Sequence, residues 1–561
     1  MKKINNYLQT LKGKIILGIS ITSISIVLTS AVTRSDLFEI GKNIDIFTSV
    51  YKELNTYYVD EIDPNKMMRT GIDAMLETCD PYTNYISEAE IEGYKFQITG
   101  NYGGIGAVIR PVDGDVTVIS TYDGFPADKA GLEAGDIIVE IDGKKASGRN
   151  SDEVSEILRG SPGTNVIIKY KKPFEEKIYE LAIAREEIKI DNVPYFGMVN
   201  NNIGYIILTQ FTENSGRNVA NAYNELKEKN PGLKGIILDL RGNPGGLLNE
   251  AVNVSNVFIE KGKEICSTKG RVAEWDKSFT AINAAIDTQV PLVVLTNSRS
   301  ASASEIVSGV VQDYDRGVIV GQKTYGKGLV QTTRDISYNT KLKLTTAKYY
   351  IPSGRCIQAL DYSHRNEDGS VGKIPDSLKT AFKTSSGRTV YDGGGVDPDI
   401  TVETENYKDI TISLLAKNLI FGYSTKYKYD HATIADAKTF SLTDVEYETF
   451  IKWLAGKDYD YTTETEKLLN DLEAKAKEDA YYEALKTDIE DLRKGMGHDK
   501  EKDLYKFKDE ILFELNKEIV SRYYNEDGII EVGFKTDPDV LEAVKILSDP
   551  VAYNALLKPN K

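Results

Sequence analysis

The chain has 561 residues, 41% of them hydrophobic and 27% charged, with a formal net charge of −16 at pH 7. This is a globular composition, long enough for roughly three or four domains. The acidic balance argues against nucleic acid as a partner, because phosphate binding needs a basic footprint. Three scattered cysteines and three scattered histidines offer neither a disulfide framework nor a metal cluster, and no cofactor is expected.

In chain order, Lys2, Lys3, Lys12 and Lys14 precede an uncharged run, residues 15–33, that ends at Arg34. As a helix this run would span about 28 Å, close to the hydrocarbon thickness of a bilayer. Lysines on its near side predict that this end stays in the cytoplasm and the rest is exported. The run is rich in Ser and Thr and no A-x-A site follows it. Residues 1–34 therefore read as an uncleaved membrane anchor or a cleaved signal peptide. Either reading places the remainder outside the cytoplasm, in a periplasmic or equivalent compartment.

Residues 35–96 read as an amphipathic helical segment, interrupted at Asp80-Pro81 by turn chemistry. "YGGIGAVIR" and "GDVTVIS" read as strands, and "RNSDEVSEILRG" as a short helix capped by Asn150 or Ser151. Two more strands, "TNVIIKY" and "KIYELAIA", close this module. From about Val193 to Ile400, apolar strands such as "GIILDL" and "PLVVLT" alternate with helices such as "NVANAYNELKEK". That is the βαβ pattern of a mostly parallel sheet. Beyond residue 404 the pattern is helical. The apolar stripes Leu468, Leu472, Leu485, Ile489, Leu492 and Leu504, Phe507, Ile511, Leu515, Ile519 are expected to be core faces.

"SRSASASEIVSG" (298–309) joins a predicted strand to a predicted helix, a place where a serine hydroxyl can stand clear. Histidine is the usual base for such a serine. The one histidine before residue 400, His364, lies in the polar stretch "LDYSHRNEDGS" and reads as a surface residue. Lys327, between Gly326 and Gly328, precedes the strand "LVQTTRDI"; alternation puts it on the same face as Gln331. From the residues alone, a solvated turn lysine is the simpler reading. Asp239 and Arg241 read as an ion pair beneath a loop, and Glu305 as a first-turn helix-dipole partner or a site residue.

"YGGIGAVI" followed by "AGLEAGDIIVEIDG" resembles the PDZ family over about residues 97–186. The resemblance implies a nest of backbone amides at Gly103, Gly104, Ile105 and Gly106 for a terminal carboxylate. Val154 and Leu158 would line the pocket for an apolar last side chain. "DLRGNPGGLL", "SASASEI", "TYGKGLVQ", "YYIPSGRCIQ" and "GGGVDPDI" resemble, in order, the carboxy-terminal processing peptidases, the S41 tail-specific proteases. That resemblance implies Ser302 as nucleophile, Lys327 as its base, Gln331 as the partner orienting the amine, and Ala303 and Gly245 as oxyanion donors. It also implies support from Asp239, Arg241 and Glu305. A lysine base must be neutral, so Lys327 is expected to be enclosed by apolar atoms with no carboxylate beside it.

The expected architecture is multidomain α/β. It has a mainly parallel peptidase core (187–404), an inserted PDZ-like β domain (97–186), the N-terminal helical segment and a helical C-terminal domain (405–561). The expected partners are protein or peptide substrates with free apolar carboxyl termini. The membrane, through the N-terminal run, and a second copy of the chain are the other partners considered. Two alternatives stay open: a catalytically dead PDZ scaffold, and an amide hydrolase acting on cell-wall peptides.

Overall fold

The computed structural model describes residues 37–366, 368–403, 407–495 and 500–559. The uncharged run at 15–33 lies outside them, and no helix among the described residues is long and apolar enough to cross a membrane. The chain divides after Tyr85 into two compact units. In the first, a helix over residues 37–57 precedes the helix Pro64–Glu77. The Asp63 side chain accepts from the amides of Asn65 and Lys66, and Pro64 occupies the first turn of that helix, where a missing N–H costs nothing.

In the second unit, the strands Ala107–Val112, Asp115–Thr121, Ile137–Ile141, Asn165–Lys171 and Ile178–Ala184 pair antiparallel in that order. Ala107–Val112 is an edge strand, open to pairing by an added peptide. The helix Ser151–Leu158 is capped by Asn150, whose side chain accepts from the Glu153 amide while the Glu153 carboxylate accepts from the Asn150 amide. This resolves the cap left open between Asn150 and Ser151.

A six-stranded sheet follows, in the order Phe196–Met198, Ile203–Ile207, Gly235–Asp239, Leu292–Thr296, Val318–Gly321 and Ile400–Thr401. Its first pair is antiparallel and the rest are parallel, as the βαβ alternation predicts. Both faces are covered, which is why the central strands are apolar at nearly every position. On one face lie the helices Ser215–Lys229, Leu248–Phe258 and Ala303–Asp313, with Val219, Val254 and Val307 in the core. On the other, Val540, Ala543, Ile546 and Leu547 of the helix Pro538–Ser548 pack against Ile237, Val293, Leu295 and Val320. The last helices thus complete the peptidase sheet. The helices between Asp409 and Gly533 enclose a separate core around Leu414, Tyr447, Phe450, Ile511 and Leu515.

One expected core stripe is corrected. Leu504, Ile511, Leu515 and Ile519 are buried, but Leu468, Leu472, Leu485 and Leu492 are exposed. The helices Glu464–Glu478 and Tyr482–Gly495 bury Leu469, Ala476 and Ile489 instead. Apolar spacing marks a face, but spacing alone does not say whether anything covers it.

Candidate active site

Ser302 occupies the residue before the helix Ala303–Asp313, at φ 55° and ψ −109°. This backbone is costly for a residue with a side chain and projects it from a sharp strand-to-helix turn, as in a nucleophile elbow. The turn follows the buried strand Leu292–Thr296 and is tied down by its neighbours. The Ser300 hydroxyl donates to the Leu240 carbonyl, the Ser304 hydroxyl to the Asn243 carbonyl, and the Ala301 amide to that same carbonyl. Three serines that composition cannot separate thus have distinct positions. Ser300 and Ser304 are fully buried braces, whereas Ser302 opens on a cavity of about 480 Å³.

The same cavity is lined by Lys327, Gln331, Ala303, Gly245 and Gly246, with Tyr94, Gln97 and Ile98 of the helix Ile91–Thr99 on its rim. The Gln331 amide donates to the Thr345 hydroxyl on the neighbouring strand. His364 is not part of it: its ring pairs with Asp361 and is 86% exposed.

Ser302 and Lys327 are held to one another through their backbones. Glu305, with no exposed surface, accepts from four donors. Its Oε2 takes the Ser302 amide (2.7 Å) and the Lys327 amide (2.8 Å). Its Oε1 takes the Gly326 amide and the Thr324 hydroxyl, each at 2.6 Å. From the other side, the buried Tyr349 hydroxyl donates to the carbonyls of Ser302 (3.1 Å) and Lys327 (2.9 Å). Burial pushes the Glu305 carboxyl up to about 6 against the pull of those four hydrogen bonds. It holds the Tyr349 phenol well above its usual value, so the hydroxyl stays a donor. The expectation of no carboxylate beside Lys327 concerned its amine, and the Glu305 contact is with its backbone amide. The carboxylate sits there because the glycine-flanked turn has backbone donors that need an acceptor.

Around the candidate oxyanion donors the structure is more specific than the resemblance. The Gly245 amide donates to the Asn243 side chain (2.9 Å). Among the described residues, the amides of Ala303 and Gly246 donate to no acceptor, and both residues line the cavity. Gly245, at φ +98°, is needed for closeness: a Cβ there would sit 2.8 Å from the Ser302 Cβ.

Asp239 and Arg241 form the ion pair expected of them, at 2.6 Å, and Asp239 also accepts from the Tyr205 hydroxyl. Arg241 reaches further, to Asp537 and Asp539 at the start of the helix Pro538–Ser548. Neither Asp239 nor Arg241 lines the cavity. They anchor the strand end from which the 242–246 loop departs.

In the β domain, Gly104, Ile105, Gly106 and Leu158 line a second, smaller pocket with Tyr102, Ser155 and Arg159. Val154 does not line it. It is fully buried in the domain core, and Ser155 takes the groove position. Gly103 also stands back: a Cβ there would meet the Gly160 carbonyl at 2.1 Å, so it is a close-approach glycine.

A serine at a strained turn, sharing a cavity with a lysine and free backbone amides, in a chain that also carries a β domain with an open edge strand, describes a serine-type peptidase carrying a PDZ module. The chain matches the family model "Peptidase family S41" over residues 202–363 and "PDZ domain" over 117–172. It also matches "Probable PDZ-protease, C-terminal helical domain" over 410–547. It is 36% identical to a carboxy-terminal-processing protease of Bartonella bacilliformis over 345 residues, 61% of this chain and 79% of that one. A CtpA-like serine protease of Staphylococcus aureus is 32% identical over 387 residues, 68% of this chain and 70% of that one. Among solved structures, the photosystem II D1 C-terminal processing protease is 26% identical, covering 64% of this chain and 92% of its own, with a TM-score of 0.35. The chain belongs to peptidase family S41, as a carboxy-terminal processing serine protease with a PDZ domain.

Proposed function

We propose that this protein is an exported endopeptidase that cleaves protein substrates with a Ser302–Lys327 dyad after recruiting them by their carboxyl termini. The observation that carries the reading is the double brace of Glu305 and Tyr349, which fixes these two residues' backbones to each other at the mouth of one cavity. In this reading the Lys327 amine takes the Ser302 proton as the hydroxyl attacks the scissile carbonyl, and returns it to the leaving amine. The oxyanion is met by the Ala303 amide and an amide of the 245–246 loop. The helix N-terminus adds its positive end. Export rests on the N-terminal run alone. A dead PDZ scaffold would not need the buried Glu305, which burial alone makes costly.

The pH profile tests the base. With an amine as the essential group, kcat/KM should rise with pH through about 7–8, rather than near 6.5 as for histidine. Glu305 adds a second proton. Its carboxyl titrates at about 6; once protonated it must turn a hydroxyl toward one of its four donors. The slope of log kcat/KM should therefore steepen from one to two below about pH 6. Stability moves the other way: a carboxyl raised from 4.5 to about 6 favours the fold below pH 4.5 by about 2 kcal/mol, a gain lost as pH rises through 6. A profile flat from pH 6 to 9 refutes the dyad.

Recruitment is tested by one protein substrate with a free or an amidated tail. Losing the terminal charge should weaken subsaturating cleavage by about 10-fold or more. Equal rates would leave the PDZ domain as a spacer.

A further inference from the structure

We propose that Lys343 is a specificity-determining residue of the catalytic cleft, binding a carboxylate on the substrate a few residues from the scissile bond. The inference deepens the peptidase reading and rests on it.

Lys343 lies on the strand Lys341–Tyr350, paired with Thr333 of Leu329–Asp335. Two residues along, Thr345 opposes Gln331 and receives its amide hydrogen bond. Alternation puts Gln331, Thr333, Lys343 and Thr345 on one face, and the first three line the cavity that holds Ser302. Lys343 thus stands about 7 Å, one two-residue strand step, beyond the Gln331–Thr345 pair. Along an extended peptide, a step of about 7 Å corresponds to about two residues.

Its surroundings lack what a structural lysine has. The Lys343 amine makes no hydrogen bond or ion pair with any described residue, although Lys341, two residues along the same strand, holds Asp335. None of the residues lining the cavity is acidic, in a chain whose net charge is −16. Burial without a compensating anion lowers the Lys343 pKa, so the site gains when an anion arrives. A half-buried, unpaired cation in an acid-free cleft is matched by a carboxylate, in a charge-assisted hydrogen bond. That carboxylate has two sources: an Asp or Glu side chain, or the free end of a short tail.

The test reads binding and turnover separately. Fluorescent peptides are titrated onto the full-length Ser302→Ala protein, which reports recognition without cleavage. The set comprises a neutral parent, versions with one Asp stepped across four positions on each side of the scissile bond, and free and amidated ends. One Asp position, or the free end, should bind about 10-fold tighter than the neutral parent, and less so at high salt. Preference that follows the Asp and survives amidation identifies a side chain. Preference that amidation abolishes, and that depends on Lys343, identifies a chain end. Adding Lys343→Met should bring the ratio near one, Lys343→Glu should invert it toward a lysine-bearing peptide, and Lys343→Arg should keep it. Lys348→Met, at an exposed lysine of the same strand that does not line the cavity, should leave it unchanged. In the active enzyme the same ratios should appear in kcat/KM. No preference at any position, or a preference that persists in both Lys343→Met and Lys343→Glu, overturns the proposal. A Ser302→Ala protein that still cleaves would instead overturn the dyad, leaving the binding ratios to be read as they stand.

Discussion

Ser302→Ala and Lys327→Ala are each expected to lower kcat by about 10⁴-fold or more, with little change in thermal unfolding. The magnitude follows from how nucleophile and base act together, so that losing either costs nearly as much as losing both. The fold should tolerate both changes, because what ties these residues into the structure is backbone: their amides on Glu305 and their carbonyls on Tyr349. Residual cleavage from binding and oxyanion donors alone sets the floor. His364→Ala should match the parent, since its ring is exposed and distant from the cavity. Ser300→Ala is a different control. It removes a buried hydroxyl that donates to Leu240 and accepts from the Asn297 amide, and should cost about 1–3 kcal/mol of stability. Turnover by Lys327→Ala within tenfold of the parent would sink the dyad.

Glu305→Gln probes the brace without touching either side chain. An amide offers one acceptor atom where the carboxylate offers two, so its NH₂ must face two of the four donors. Two donors left unpaired at about 1–3 kcal/mol each should lower Tm by several degrees. Loosening the geometry should lower kcat by about 100-fold, and the second proton below pH 6 should vanish from the profile. An unchanged kcat would leave Glu305 a helix cap.

The sheet was legible because its strands are short, apolar and spaced by helical patterns, and burial on both faces forces that composition. The nucleophile was not legible from composition. Ser300, Ser302 and Ser304 differ in φ and in what their hydroxyls reach, and neither property is written in a string of serines and alanines. The same gap hid Tyr349. It reads as an ordinary strand aromatic, and its role appears once pairing with Ser267–Gly270 brings the strand beneath the turn. Asn243 was missed for a similar reason: in "RGNPGG" it reads as a turn former, while its side chain in fact takes the Gly245 amide. The 468–492 stripe erred because periodicity assigns a residue to a face and leaves open which neighbour meets that face, whereas Val154, carried over from the PDZ resemblance, missed the groove by one position.

The second large effect concerns the far end of the chain. Ending the protein after Gly533 should yield no soluble peptidase, although the deleted residues lie more than two hundred positions beyond Ser302. Phe534, Val540, Ile546, Leu547 and Tyr553 are all buried against the peptidase sheet. At about 1.5–3 kcal/mol for each large apolar side chain, their loss removes roughly 8–15 kcal/mol, as much as the whole stability of a typical domain. The Tyr553 hydroxyl also accepts from the Leu292 amide (3.0 Å), on the strand that leads to the Ser302 turn. A gentler variant separates folding from catalysis. Asp537→Asn with Asp539→Asn keeps the apolar contacts but strips Arg241 of two of its three carboxylate partners. The remaining pair with Asp239 still neutralises the guanidinium, so the fold should survive with a lower Tm. The 242–246 loop loses its outer anchor, and kcat should fall more than KM rises, because that loop is needed where negative charge develops on the substrate oxygen. A truncated protein that folds and cleaves at the parent rate would show that the last helices are a covering the sheet can do without.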